Sequence, residues 1–172
     1  MPACARCSKV AREMPDAELV HGEVHLGHAQ PPHPPDPKVA VALLIEQEER
    51  MLLQQRAMEP RKGLWTFPSG FMNRGEQAER VAEREAMEEL GVPVRLTHLL
   101  GVYSEPGNPT VLIVYTAALI QPELPFTLQA DEVTAAGYYA PEHLPPLAFP
   151  HDPQIVADWL AFTREGQEIM PR

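Results

Sequence analysis

Residues 70–92 read Gly70-Phe71-Met72-Asn73-Arg74-Gly75-Glu76-Gln77-Ala78-Glu79-Arg80-Val81-Ala82-Glu83-Arg84-Glu85-Ala86-Met87-Glu88-Glu89-Leu90-Gly91-Val92. Between Glu76 and Leu90 there is neither proline nor glycine, and Ala78, Val81, Ala82, Ala86 and Leu90 recur at helical spacing. That pattern predicts a helix with one apolar stripe, stopped by Gly91 and then Pro93. On such a helix Glu85 and Glu89 lie one turn apart, about 40° around the axis, and Glu88 flanks them. Three carboxylates this close repel one another unless a cation sits between them. Hard oxygen donors on one short face suit Mg²⁺ or Mn²⁺, which keep some waters and take further ligands from substrate phosphates. The same run also reads as a solvated acidic face carrying i,i+4 pairs such as Arg84–Glu88.

Outward from this helix the chain reads as strands. Val39–Ile45 is a buried-type strand, and the acidic turn Glu46–Glu49 leads to a second, Met51–Arg56. Trp65–Phe67 is a short strand ending at Pro68-Ser69-Gly70. Val94–Tyr103 and Val111–Ile120 are joined across a loop of turn-forming composition, Glu105–Pro109, and Ala136–Ala140 is a last short strand. Asp152-Pro153 opens a second helix as N-cap and first turn, with Ile155, Val156, Trp159 and Leu160 on one face. Strands mixed with two helices in no regular alternation indicate an α+β class, a layered αβα domain.

Composition narrows the function. The chain has 172 residues, 14 basic and 24 acidic, for a net charge of −10. An acidic balance argues against a general phosphate-backbone binder, so nucleic acid is not the expected partner. It leaves room for a small anionic substrate if a metal ion supplies positive charge. The longest apolar run, Val39–Ile45, is far short of the roughly 18 residues of a membrane span. Pro2–Met14 is broken by Arg6, Lys9, Arg12 and Glu13, unlike an export signal, so a cytoplasmic protein is expected. Of 20 prolines, five fall between Pro31 and Pro37, a stiff extended linker. The expected organisation is a small module over residues 1–30, the linker over 31–37, the main domain over 38–165 and a tail over 166–172.

Gly70, Glu76, Arg84, Glu85, Ala86, Glu88, Glu89, Gly91 and Val92 resemble the Nudix box of nucleoside-diphosphate-linked pyrophosphohydrolases, G-x5-E-x7-R-E-U-x-E-E-x-G-U with U a bulky aliphatic. Every fixed position is filled, and only Ala86 is smaller than usual. The resemblance covers roughly residues 38–165 and implies a Nudix-type αβα sandwich around a mixed sheet. It also implies roles. Gly70 offers its carbonyl to a catalytic Mg²⁺ or Mn²⁺, with Glu85, Glu88 and Glu89 as ligands, any of which could also be the base for water. Arg84 orients the carboxylates, and Glu76 braces the loop through Arg84 or nearby backbone donors. In some relatives a glutamate outside the box provides the base or another ligand, and Glu132 is the candidate. Many relatives carry a second glutamate three residues on, where this chain has Ala135.

For the substrate, Arg56, Arg61 and Lys62 form a basic cluster fit to anchor phosphate or simply to solubilise the surface. Tyr103 is the first candidate to stack on a base or flavin ring, although aromatics at strand positions are more often core. Cys4-x2-Cys7 precedes His25-x2-His28, resembling a degenerate version of the zinc ribbon found before the main domain in one Nudix subgroup. Four such ligands would form a closed, structural Zn²⁺ site. Members of that subgroup include FAD, ADP-ribose and NADH pyrophosphatases, and the lead-in from Glu59-Pro60 through Gly63-Leu64-Trp65-Thr66-Phe67-Pro68-Ser69-Gly70 is similar to the first two. The implied activity is cleavage of a nucleoside diphosphate linked to a second moiety. The rivals are a MutT-like triphosphate pyrophosphatase and a nucleotide-sensing module without turnover. Relatives often form homodimers, so the resemblance leaves a homodimer open, although no residue of this sequence demonstrates one.

Overall fold

The computed structural model describes residues 37–168. Cys4, Cys7, His25, His28 and the linker up to Asp36 lie outside the described residues, so the ribbon-like module receives no structural account.

Strand β1, Lys38–Gln47, is the axis of the domain. Val41 to Ile45 are buried without a polar break, the pattern of a strand covered on both faces. β1 runs parallel to β6 (Thr110–Leu119), from Lys38 opposite Thr110 to Ile45 opposite Ala117. On its other edge it pairs antiparallel with β4 (Ser69–Phe71) and, through Glu46 and Gln47, with β2 (Arg50–Arg56). β5 (Val94–Ser104) continues the sheet antiparallel beyond β6. β2 in turn pairs antiparallel with β3 (Trp65–Thr66) and β7 (Val133–Tyr139). The sheet is therefore mixed, as the sequence suggested. The three-residue strand β4 is additional, since residues 68–70 read as the end of a strand.

Alternation along β1 divides the core between two helices. Val41, Leu43 and Ile45 pack with Leu52 against Val81, Ala82, Ala86 and Leu90 of helix α1, Ala78–Leu90. Ala40, Ala42 and Leu44 pack with Met51, Leu53 and Phe67 against Ile155, Val156 and Trp159 of helix α2, Asp152–Glu168. Trp159 Nε1 donates to Glu46 Oε2 at 3.2 Å, tying α2 to the end of β1. α1 starts two residues later than the Pro/Gly-free run suggested, with Gln77 as N-cap in an extended conformation. It ends as expected at Gly91, whose φ of 70° is the left-handed C-terminal turn that glycine adopts without strain. α2 runs to Glu168, three residues into the stretch expected to be tail. Among the described residues no helix is long and apolar enough to cross a membrane.

Candidate active site

The box glutamates separate into two kinds. Glu85 and Glu89 lie on the buried side of α1 among Val81, Ala82, Ala86 and Leu90, at 7% and 4% exposure. The Glu88 side chain stays half exposed. Glu89 is covered by the start of β4, whose Ser69 N–H donates to its Oε2 at 2.8 Å. Gly70 comes so close to Glu85 that a Cβ there would collide with the carboxylate, which explains a glycine at a position with no unusual φ.

Arg84 is the hub. Its Nη1 donates to Glu85 Oε1 at 2.6 Å and Glu88 Oε2 at 2.9 Å, and its Nη2 to Phe71 O at 3.2 Å and Glu76 Oε2 at 3.3 Å. Glu76, just before α1, also accepts the Asn73 N–H at 2.7 Å, which holds its carboxyl below the usual range. The brace read from the box thus uses both the arginine and a backbone donor.

Burial sets the electrostatics. Desolvation pushes Glu89 up to about 8, against the pull of Gln54 and the Ser69 N–H, and the neighbouring charges of Glu85 and Glu132 push the same way. Desolvation also raises Glu85, opposed by Arg84 and reinforced by Glu88 and Glu132. Glu132 therefore stands within electrostatic reach of both, although it is 43 residues from Glu89 in sequence. The connection is built by the segment before β7, which crosses the end of α1. Thr127 N–H donates to Leu90 O at 2.8 Å, Gln129 N–H to Glu89 O at 3.1 Å, and Gln129 Nε2 to Glu132 Oε1 at 3.2 Å.

Among the described residues, no three His, Cys, Asp or Glu side chains converge on one point that could hold an ion. Glu85 and Glu88 face the Arg84 guanidinium instead of a common centre, and Glu88 points to solvent. The donor set nonetheless suits a divalent cation. It consists of hard carboxylate oxygens, two of them buried and mutually repelling, with an unpartnered Gln54 Oε1 alongside Glu89. Glu85 and Glu89, joined by Glu88 and the Gly70 carbonyl, could hold it.

The substrate candidates divide. Arg56 lies at the end of β2, where Ala57 N–H donates to Glu132 O at 2.8 Å. A register shift between Gln55 and Arg56 accompanies its turn away from α1, and its guanidinium sits 5.1 Å from the Phe149 ring centre and donates through Nε to Pro60 O at 2.9 Å. Arg61 and Lys62 are exposed on the loop before β3. Tyr103 is not brought together with the carboxylates. It packs with the α2 cluster on the opposite face of the sheet, and its hydroxyl donates to Asp158 Oδ2 at 2.9 Å. Burial and that carboxylate raise its pKa, so the ring serves as packing between β5 and α2.

Sequence reading missed two members of the site, the Ser69 N–H and Gln54. The signal for Gln54 was present, since alternation along β2 places it on the α1 face with Leu52, a polar residue at a core position.

A family model described as NUDIX domain matches residues 35–160. The chain is 35% identical over 128 residues to the ADP-ribose pyrophosphatase of Methanocaldococcus jannaschii, covering 72% of this chain and 73% of that protein. It is 33% identical over 103 residues to the CTP pyrophosphohydrolase of Escherichia coli, covering 59% and 75%. The crystal structure of a NUDIX hydrolase from Nitrosomonas europaea superposes with a TM-score of 0.67 at 30% identity, covering 81% of this chain and 77% of that one.

Proposed function

The chain belongs to the NUDIX family and is a pyrophosphatase, acting on phosphoanhydride bonds; on that premise we propose that it cleaves a nucleoside diphosphate linked to a second moiety, of the ADP-ribose or FAD type. The products are a nucleoside monophosphate and the phosphorylated remainder. The observation that carries this reading is the burial of Glu85 and Glu89 on one face of α1 under the start of β4, with Glu132 of a distant loop within electrostatic reach of both. The substrate class is supported by the likeness to the archaeal ADP-ribose pyrophosphatase, which spans most of both chains.

Mg²⁺ or Mn²⁺, held by Glu85, Glu88, Glu89 and the Gly70 carbonyl, would neutralise the pyrophosphate and lower the pKa of an attacking water. Arg84 fixes Glu85 and Glu88 and anchors them to the Phe71 carbonyl. Ser69 N–H fixes Glu89. Glu132 takes the proton from water as its oxygen bonds to phosphorus, and the electron pair of the broken P–O bond leaves with the departing phosphate. Arg61 and Lys62, exposed on the loop before β3, supply positive charge for the substrate's phosphates.

The likeness to the CTP pyrophosphohydrolase favours one second reading, a nucleoside triphosphate substrate. Release of nucleoside monophosphate with Mg²⁺ or Mn²⁺ from FAD, ADP-ribose, NADH, CoA, dinucleoside polyphosphates and oxidised nucleoside triphosphates separates the two. Preference for a diphosphate-linked member supports the proposal, and turnover of triphosphates alone replaces it with the second reading.

A further inference from the structure

Gln54 sits where a core side chain belongs. It is 3% exposed, in register with Thr66 on β3 and Ala136 on β7, and shares the α1 face of β2 with the fully buried Leu52. Its side-chain amide stands close enough to the Glu89 carboxylate to pull that carboxyl's pKa down against burial. Ser69 N–H, from a different strand, donates to the same carboxylate at 2.8 Å. The Gln54 Oε1 is buried and has no hydrogen-bond partner.

An unmet buried amide oxygen costs about 1–3 kcal/mol, and folded proteins keep few of them. A leucine of similar size would fill the position without that cost. The polar group stands on the face of β2 that packs against the buried side of α1, where Glu85 and Glu89 lie. Its free atom is an acceptor placed beside another acceptor. A bare phosphate oxygen would be repelled there, whereas a ligand carrying O–H donors would be welcomed. A hydrated divalent cation is such a ligand.

We propose that Gln54 is a positioning residue for the reaction, clamping the Glu89 carboxylate from β2 and offering its Oε1 to a water delivered by a hydrated divalent cation. The inference rests on the metal-dependent reading above and extends it to a residue outside the box. Groups of this kind, which orient metal ligands without being ligands, typically change metal affinity or activity by about 10–100-fold when removed.

The test compares the full chain with Gln54→Leu in three measurements: thermal unfolding without metal, calorimetric titration with Mn²⁺ alone, and steady-state turnover of the best substrate found. Gln54→Leu is expected to unfold at the same or a higher temperature, to bind Mn²⁺ about 10-fold or more weakly, and to lose about 10–100-fold in kcat with KM for the nucleotide unchanged. A variant that binds Mn²⁺ and turns over like the wild type overturns the inference and makes Gln54 a core residue. So does a rise in KM with kcat and Mn²⁺ binding intact. Should Gln54→Leu fail to fold, Gln54→Met, more adaptable in shape, takes its place in the same measurements. Absence of turnover by the wild type on every substrate would overturn the functional reading instead, and the Mn²⁺ titrations would still decide the role of Gln54.

Discussion

One methyl group at Gly70 is enough to test how tightly the site is built. A Cβ there would collide with the Glu85 carboxylate, whose carbon and both oxygens are its nearest neighbours. Gly70→Ala must displace Glu85 from Arg84 or the turn from β1. Overpacking of this kind costs about 1–3 kcal/mol, and denaturant unfolding should show that loss together with a fall in kcat. Wild-type kcat would mean that Glu85 can move freely. The glutamates make a sharper distinction. Glu85→Gln and Glu89→Gln should each abolish most turnover, about a hundredfold or more, while thermal stability is kept or raised, because the amide no longer bears the cost of burying a charge. Wild-type turnover in both variants would remove them from the chemistry. Spacing alone made Glu85, Glu88 and Glu89 legible as a group but treated them as equals. Periodicity tells which residues share a face, whereas Ser69 and Gln54, which bury Glu89 and leave Glu88 in solvent, arrive from other strands.

Helix ends show how local rules meet tertiary packing. Asp152 was expected to cap α2, yet it lies within the first turn, and its Oδ2 accepts the Phe149 N–H at 3.0 Å while Thr66 donates to Oδ1 at 3.5 Å. Burial raises its carboxyl to about 6, against the pull of the Phe149 N–H, Thr66, Ala148 and Arg56. The folded state therefore holds this proton more tightly than the unfolded chain, where the pKa is about 3.9. Relative to the protonated state below about pH 4, the folded state loses about 3 kcal/mol in all as pH rises through about 6, and changes no further above that. Asp152→Asn keeps an acceptor for Phe149 and removes the titration. The difference in melting temperature between variant and wild type should thus shift in the variant's favour from pH 4 to pH 7 and then level off. A constant difference would show that the carboxyl does not titrate in this range. At the end of α1, Gly91 was legible as a stop, but what it faces was not. A Cβ on Gly91 would lie 2.8 Å from Thr127 Cβ, in the segment that delivers Glu132. Gly91→Ala should therefore cost about 1–2 kcal/mol from backbone strain and crowding, and also reduce kcat by displacing Glu132. A stability loss with kcat intact would detach Glu132 from the reaction. Strand β4 escaped the sequence because three residues containing glycine carry no period, and only pairing with Ala40–Ala42 makes them a strand.

Strand order governs what the chain as a whole can do. β1 and β6 run parallel although the box helix and β5 separate them, and that crossing determines which side chains meet which helix. No local pattern states it, which is why Tyr103 read both as a candidate for stacking and as core, and strand order places it against α2. The prolines of residues 31–37 led to the expectation of a boundary before β1. Among the described residues the buried members of both core clusters run from Ala40 through Trp159, and the family match spans residues 35–160. A chain beginning at Asp36 should therefore fold as one cooperative unit with a melting temperature within a few degrees of the full chain, since it keeps every core side chain among the described residues. Its kcat on the preferred substrate should also match, because the box, Gln54 and Glu132 are all retained. Circular dichroism melts and the substrate panel, run on both lengths, check the two claims separately. A non-cooperative melt would show that residues 1–35 complete the core. A cooperative melt with a KM raised for one class of substrate alone would place them instead in substrate selection, where the loops and not the box distinguish one nucleotide from another.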